Sequence, residues 1–112
     1  MEYTRNFTFL NGADAATTGE VMKNACNTEL AVSVEGTFTA TVKMQGHLGN
    51  EWHDLSVVDL GSMELASTIT STGAYTVVCP VAFDEIRANL TTISSGSVTV
   101  IGRVFGGEAN AQ

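Results

Sequence analysis

Positive charge is scarce in this chain: five Lys and Arg stand against twelve Asp and Glu, a formal net charge of −7 over 112 residues. Phosphate binding needs clustered cations that release counterions. Arg5, Lys23, Lys43, Arg87 and Arg103 are instead scattered singly, so nucleic acid is not an expected partner, nor is an anionic membrane surface. Cysteine is nearly as rare. Cys26 and Cys79 lie far apart and in no CxxC or Cys–His spacing that would suggest zinc. Two small buried hydrophobes in a reducing compartment is the plain reading, and a disulfide between them stays open, because sequence does not show the Cα approach it needs. Pro80 is the single proline; with 44% hydrophobic and 15% charged residues, this composition excludes a disordered tail and favours a folded domain. No apolar run approaches the ~20 residues that span a bilayer as a helix. The start, Met1–Asn6, lacks the basic and apolar regions of a signal peptide, so synthesis and folding in a cytoplasm are expected.

Threonine, valine and glycine dominate what remains, and they favour extended structure and turns over helix. The clearest stretch is Glu35–Leu55, EGTFTATVKMQGHLGNEWHDL. Phe38, Ala40, Val42 and Met44 alternate with Thr37, Thr39, Thr41, Lys43 and Gln45, as on a pleated strand with one dry and one wet face. The tip Gly46-His47-Leu48-Gly49-Asn50 then returns the chain into Trp52 and Leu55, both expected to point inward. Residues 3–10 predict a first strand, 20–23 a short edge strand, and Leu30, Val32 and Val34 one face of another. Gly36 separates that strand from 37–45 too tightly for a crossover helix, so an antiparallel hairpin is expected there. Residues 55–60 continue as a strand, and 61–66 read as a loop or one helical turn. Tyr75, Val77 and Cys79 share a strand face, which Pro80 closes. Ile86, Ala88 and Leu90 alternate against Arg87, Asn89 and Thr91, and Ser95-Gly96 predicts a turn into Ser97–Phe105, where Val98 and Val100 share a face.

Seven to nine short strands with regular turn signals describe an all-β protein, an antiparallel β-sandwich of Ig-like or jelly-roll-like kind, with a small closed barrel as the alternative. A single domain over residues 1–105 is expected, its first ten residues being either the first strand or an assembly arm. Residues 106–112 predict a flexible tail. The core anchors predicted from the alternation are Phe38, Val42, Trp52, Tyr75, Val77, Leu90, Val98 and Val100.

Reaction machinery is hard to find. His47, Asn50, Glu51, His53 and Asp54 could hold a divalent ion if they converged, but the spacing fits no zinc motif and a solvated loop is the better reading. Asp84 and Glu85 are adjacent, so on a strand they diverge; with Arg87 they read as a solvated turn carrying an outward ion pair. There is no GxSxG elbow, no phosphate-cradling loop and no calcium loop. The aromatics sit mostly at core-alternating positions. The prediction is a non-enzyme with no catalytic residues, no metal and no cofactor.

Three pieces carry a resemblance: Phe9–Glu20 (FLNGADAATTGE), Glu35–Leu55, and Ile69–Val104 (ITSTGAYTVVCPVAFDEIRANLTTISSGSVTVIGRV). Their order resembles small β-sandwich proteins from the structural-gene modules of tailed bacteriophages and prophages. Those carry a GTFTATV hairpin ending in a tryptophan, then a TGxYxV strand, then RANxTxxxSGSVTVxG. The resemblance implies a virion component: a capsid decoration (auxiliary head) protein on the outer capsid surface, bound to the major capsid protein or other virion proteins. A tail or neck accessory is the alternative within that family. It also implies many copies or a homo-oligomer, with the threonine face of Thr37, Thr39 and Thr41 as a candidate lattice-facing or subunit-facing surface. A carbohydrate-binding adhesion module is the competing class, with Trp52, Tyr75 and His47 at one rim. The family's usual SxDG tip is replaced here by Gly46–Asn50, so His47, Leu48, Gly49 and Asn50 are the candidate interaction tip.

Overall fold

The computed structural model describes residues 4–23 and 29–105. Among the described residues the elements are strands, joined by turns and loops, and one 3₁₀ turn, Pro80–Ala82. In order the strands are β1 (Thr4–Ala13), β2 (Thr17–Thr18), β3 (Met22–Lys23), β4 (Glu29–Leu48), β5 (Glu51–Asp54), β6 (Val57–Asp59), β7 (Glu64–Ala66), β8 (Gly73–Val77) and β9 (Glu85–Phe105). Every pairing is antiparallel. The sheet path runs β1-β9-β4-β8-β6-β7 and ends open on β1 and β7, which excludes the closed barrel.

Two strands organise everything else. β4 is 20 residues long and β9 is 21, and they pair along their whole length, from Glu29↔Phe105 to His47↔Glu85. The hairpin expected at Gly36 and the turn expected at Ser95-Gly96 are therefore absent; the chain runs straight through both. Each glycine bends its strand without breaking the ladder. Gly36 has φ 117° and Gly96 has φ 84°, and a Cβ on Gly96 would overlap the Thr37 carbonyl oxygen across the pair. Only glycine takes that backbone conformation at so close an approach. Two bulges on β9 follow, between its pairings with Thr39 and Ala40 and with Thr41 and Val42.

The bent ribbon gives the molecule its two layers. The N-terminal half of β4 and the C-terminal half of β9 carry β1 on one side and β8, β6 and β7 on the other. The other half of the ribbon carries β2 and β3 against β9 and β5 against β4. Because β9 gains two extra residues and not one, its pleat keeps the same parity past the bulges. Ile86, Ala88 and Leu90 thus face inward with Val98, Val100 and Val104, and β4 supplies Leu30, Val32, Val34, Ala40, Val42 and Met44. These side chains form one apolar cluster. Burying each of the larger ones contributes about 1.5–3 kcal/mol relative to exposure.

β1 is a core strand and not an arm: Phe9 and Leu10 are both buried although adjacent in sequence. A register shift between Thr8 and Leu10 makes this compatible with the pleat. The uncertain segment 61–66 resolves into a turn entering β7, with Met63 at φ 62° and exposed. Cys79 is exposed at a left-handed backbone position before Pro80. Its pairing with Cys26, and the mobility of 106–112, fall outside the described residues.

Candidate functional site

The most organised polar constellation lies on the outer face of β5, β4 and β9. The turn at Gly49-Asn50 sets it up. Gly49 takes φ 69° as the first residue of a two-residue connection, a position where glycine carries no steric cost. That connection fixes the register Leu48↔Glu51, His47↔Trp52, Gly46↔His53 and Gln45↔Asp54. Residues directly opposite share a face. Trp52 therefore joins His47 on the outward face, and His53 joins Gly46 on the other, its ring 6.4 Å from that of Phe83.

The inward placement expected for Trp52 is thus corrected. Trp52 and Leu55 are three residues apart and cannot share one face of a regular strand. The chain resolves this by leaving β5 after Asp54, so that Leu55 is buried while Trp52 is only half-buried. Val42, Tyr75, Val77, Leu90, Val98 and Val100 lie in the core, and Phe38 is partly buried against it. The Tyr75 hydroxyl donates to the Ser71 carbonyl at 2.8 Å.

Cross-strand rows of side chains cover the outer face. In one row Asp54, Gln45 and Arg87 stand abreast on β5, β4 and β9. Gln45, 9% exposed, donates from Nε2 to Asp54 Oδ1 at 2.8 Å, and its Oε1 accepts from Arg87 Nε at 2.9 Å and Asn89 Nδ2 at 3.5 Å. Lys43 Nζ donates to the other Asp54 oxygen at 3.2 Å. The Gln45 hydrogen bond, foremost, holds the Asp54 carboxyl below its ordinary pKa; burial opposes it, and the Lys43 hydrogen bond and charge add to the lowering. The Arg87 guanidinium carbon lies 4.1 Å from the Trp52 ring centre, a cation–π contact.

The second row is Trp52, His47, Glu85 and Lys23 across β5, β4, β9 and β3. The His47 ring meets Trp52 edge-on at 5.1 Å, and its Nδ1 lies 3.3 Å from Asp84 Oδ1. Lys23 donates to Glu85 at 2.6 Å; that hydrogen bond and the carboxylate charge raise the ammonium pKa.

Several expected groupings are not brought together. His47 and His53 point to opposite faces, and among the described residues no three His, Cys, Asp or Glu side chains gather as metal ligands. Tyr75 is buried in the other half of the ribbon, so it shares no rim with Trp52 and His47. In the tip, Leu48 is 53% exposed, Gly49 and Asn50 are exposed, and His47 is half-buried under Asp84 and Trp52. Thr37 and Thr39 are exposed beside the bend and Thr41 is half-buried. The outward ion pair expected between Asp84-Glu85 and Arg87 is corrected: Asp84 meets His47, Glu85 meets Lys23, and Arg87 meets Gln45 and Trp52, a network in which sequence names no role for Gln45. The available signal for Gln45 and Arg87 was their place among the wet residues of two alternating segments, but only the register shows that they meet.

A family model described as XepA matches residues 3–104. The chain belongs to the XepA family. Among solved structures, the SPBc2 prophage-derived protein YomS superposes with a TM-score of 0.86 at 23% identity, over 95% of this chain and 96% of that one. The PBSX exported protein XepA superposes with a TM-score of 0.88 at 23% identity, over 94% of this chain. The chain spans only 38% of the length of that XepA structure. No curated protein sequence matches the chain. At this identity the superpositions establish the shared fold, and the SPBc2 origin printed for YomS and the PBSX origin printed for XepA are those of these two proteins.

Proposed function

We propose that this XepA-family protein is a non-enzymatic structural component of a tailed-phage particle, a capsid decoration protein that binds the outer capsid lattice in many copies and stabilises it. The observation that carries the reading is the match of the family model over 3–104, together with the prophage origin of the structurally similar YomS. The molecule is compatible with such a task. A bent 20-residue ribbon packed on one continuous core makes a sturdy module, and its polar organisation lies on an outer sheet face. A net charge of −7 keeps the free protein soluble and away from packaged nucleic acid, which favours an outer-surface position.

The test is quantitative mass spectrometry of gradient-purified particles from an induced lysogen, followed by cryo-electron microscopy of the same particles. Copy numbers comparable to the capsid lattice, with density on its outside, are expected. Recovery of the protein wholly outside the particle fraction sinks the reading. The printed description of XepA as an exported protein favours a second reading, a prophage product released to the exterior without joining the particle. Free protein in the lysate supernatant and none on particles would select it.

A further inference from the structure

We propose that the outer face of β5, β4 and β9, centred on Arg87 over Trp52, docks an acidic segment of a protein partner, with the Arg87 fork receiving an Asp or Glu carboxylate. The inference deepens the particle-binding reading by naming the docking face and its chemistry, and in that sense rests on it.

Charge placement is the first argument. Three of the chain's five basic residues, Lys23, Lys43 and Arg87, lie on this face beside Asp54, Glu85 and Asp84, so its charge is balanced in a molecule of net charge −7. Lys23 and Lys43 each have a carboxylate, Glu85 at 2.6 Å and Asp54 at 3.2 Å. Arg87 is different: its described partners are a neutral amide oxygen and an indole ring. Lys23 has Glu85 directly opposite and Lys43 reaches Asp54 diagonally, whereas no carboxylate is among the described partners of Arg87. Across the strands from Arg87 stands Gln45.

Preorganisation is the second. Gln45 is almost fully covered, and its three hydrogen bonds fix its orientation between Asp54 and Arg87. Nε is thereby occupied from within the sheet, and the guanidinium carbon lies 4.1 Å from the Trp52 ring centre. The remaining edge of the fork has the geometry that takes a carboxylate through two parallel hydrogen bonds. Holding the side chain in place before binding reduces the ordering cost of association. Trp and Arg are also the residue types that dominate interface energetics. A sheet face, being open and not concave, suits a macromolecular partner better than a small molecule.

The experiment uses the full chain and has two readouts. In the first, wild type, Arg87→Ala, Arg87→Lys and the control Arg103→Ala, which removes an exposed charge from the other layer, are sedimented with particles from a lysogen deleted for this gene. In the second, poly-L-glutamate is titrated against each protein and read by Trp52 fluorescence, with polygalacturonate as the acidic-saccharide comparison. Particle binding is expected to weaken about ten-fold or more in Arg87→Ala, a loss of about 1.4 kcal/mol or more. Arg87→Lys should recover part of it and Arg103→Ala should match wild type. Poly-L-glutamate should compete, and added salt should weaken both interactions. Melting curves establish that each variant is folded.

Wild-type particle binding that is unchanged in a folded Arg87→Ala overturns the face. A Trp52 response to polygalacturonate but not to poly-L-glutamate overturns the protein partner in favour of an acidic sugar. If wild type fails to bind particles, the decoration reading falls; an Arg87-dependent response to poly-L-glutamate would still support the face, and none would overturn it.

Discussion

At the residue scale, Gln45 and Asp54 show how one buried amide organises a charged neighbourhood. Asp54 accepts from Gln45 at 2.8 Å and from Lys43 at 3.2 Å, and both interactions favour its ionised form. Its pKa in the folded protein is lowered, so the stability it contributes is present above the unfolded value of about 3.9 and is lost as pH falls through the folded value. A carboxyl-carbon NMR titration of Asp54 should give a midpoint below the ordinary aspartate value, and Gln45→Ala should raise it; an unchanged midpoint in that variant would remove Gln45 as the main cause. Trp52 and Leu90 make a second residue-scale contrast. Trp52→Ala strips a half-buried surface ring and should cost only about 0.5–1.5 kcal/mol. Leu90→Ala opens a cavity at a 1% exposed site and should cost about 2–5 kcal/mol. Urea unfolding of both variants checks the order, and equal costs would place Trp52 in the core after all.

At the element scale, the paired bends of β4 and β9 decide the architecture. Gly36 lies opposite Val98 and Gly96 opposite Phe38, so both strands kink at nearly one level. Gly96→Ala places a Cβ against the Thr37 carbonyl oxygen and forces a side chain onto φ 84°. A loss of about 1–3 kcal/mol is expected from strain alone, read as a drop in the urea midpoint. A neutral result would show that the bend can move along the ribbon. Sequence marks these positions clearly, since glycine interrupts the alternation at both. It does not distinguish a turn that reverses the chain from a kink that continues it. That choice depends on whether residues 37–45 pair with the preceding segment or with residues 87–97, a contact more than forty residues distant. A reversal within residues 46–50 was legible because glycines bracket it between two strand-like stretches, but the structure narrows it to Gly49-Asn50, with Gly46, His47 and Leu48 continuing β4.

At the scale of the whole molecule, the chain ends by closing on its beginning. β1 pairs with the last stretch of β9, from Thr4↔Phe105 to Ala13↔Val98, and contributes Phe9 and Leu10 to the core. Deleting residues 1–13 should therefore abolish cooperative unfolding in circular dichroism melts, whereas an assembly arm would leave the melt intact. Pairings this distant in sequence carry a large loop-closure cost before any contact is gained. Folding on the millisecond-to-second scale is expected in stopped-flow refolding; microsecond refolding would contradict that topology.

Alternation, turn chemistry and composition were enough to establish an all-β chain, its dry face on Val42, Leu90, Val98 and Val100, and a chain reversal within residues 46–50, because a pleat's two-residue period and turn chemistry are local properties. Tertiary structure alone decided that two segments read as hairpins are single bent strands, and that Trp52 faces outward. It also decided that Gln45, Asp54 and Arg87, scattered over forty-two positions, meet in one network. The physical reason is register. A shift of one residue exchanges the two faces of a strand, and register between distant strands is set by the packing of the core as a whole.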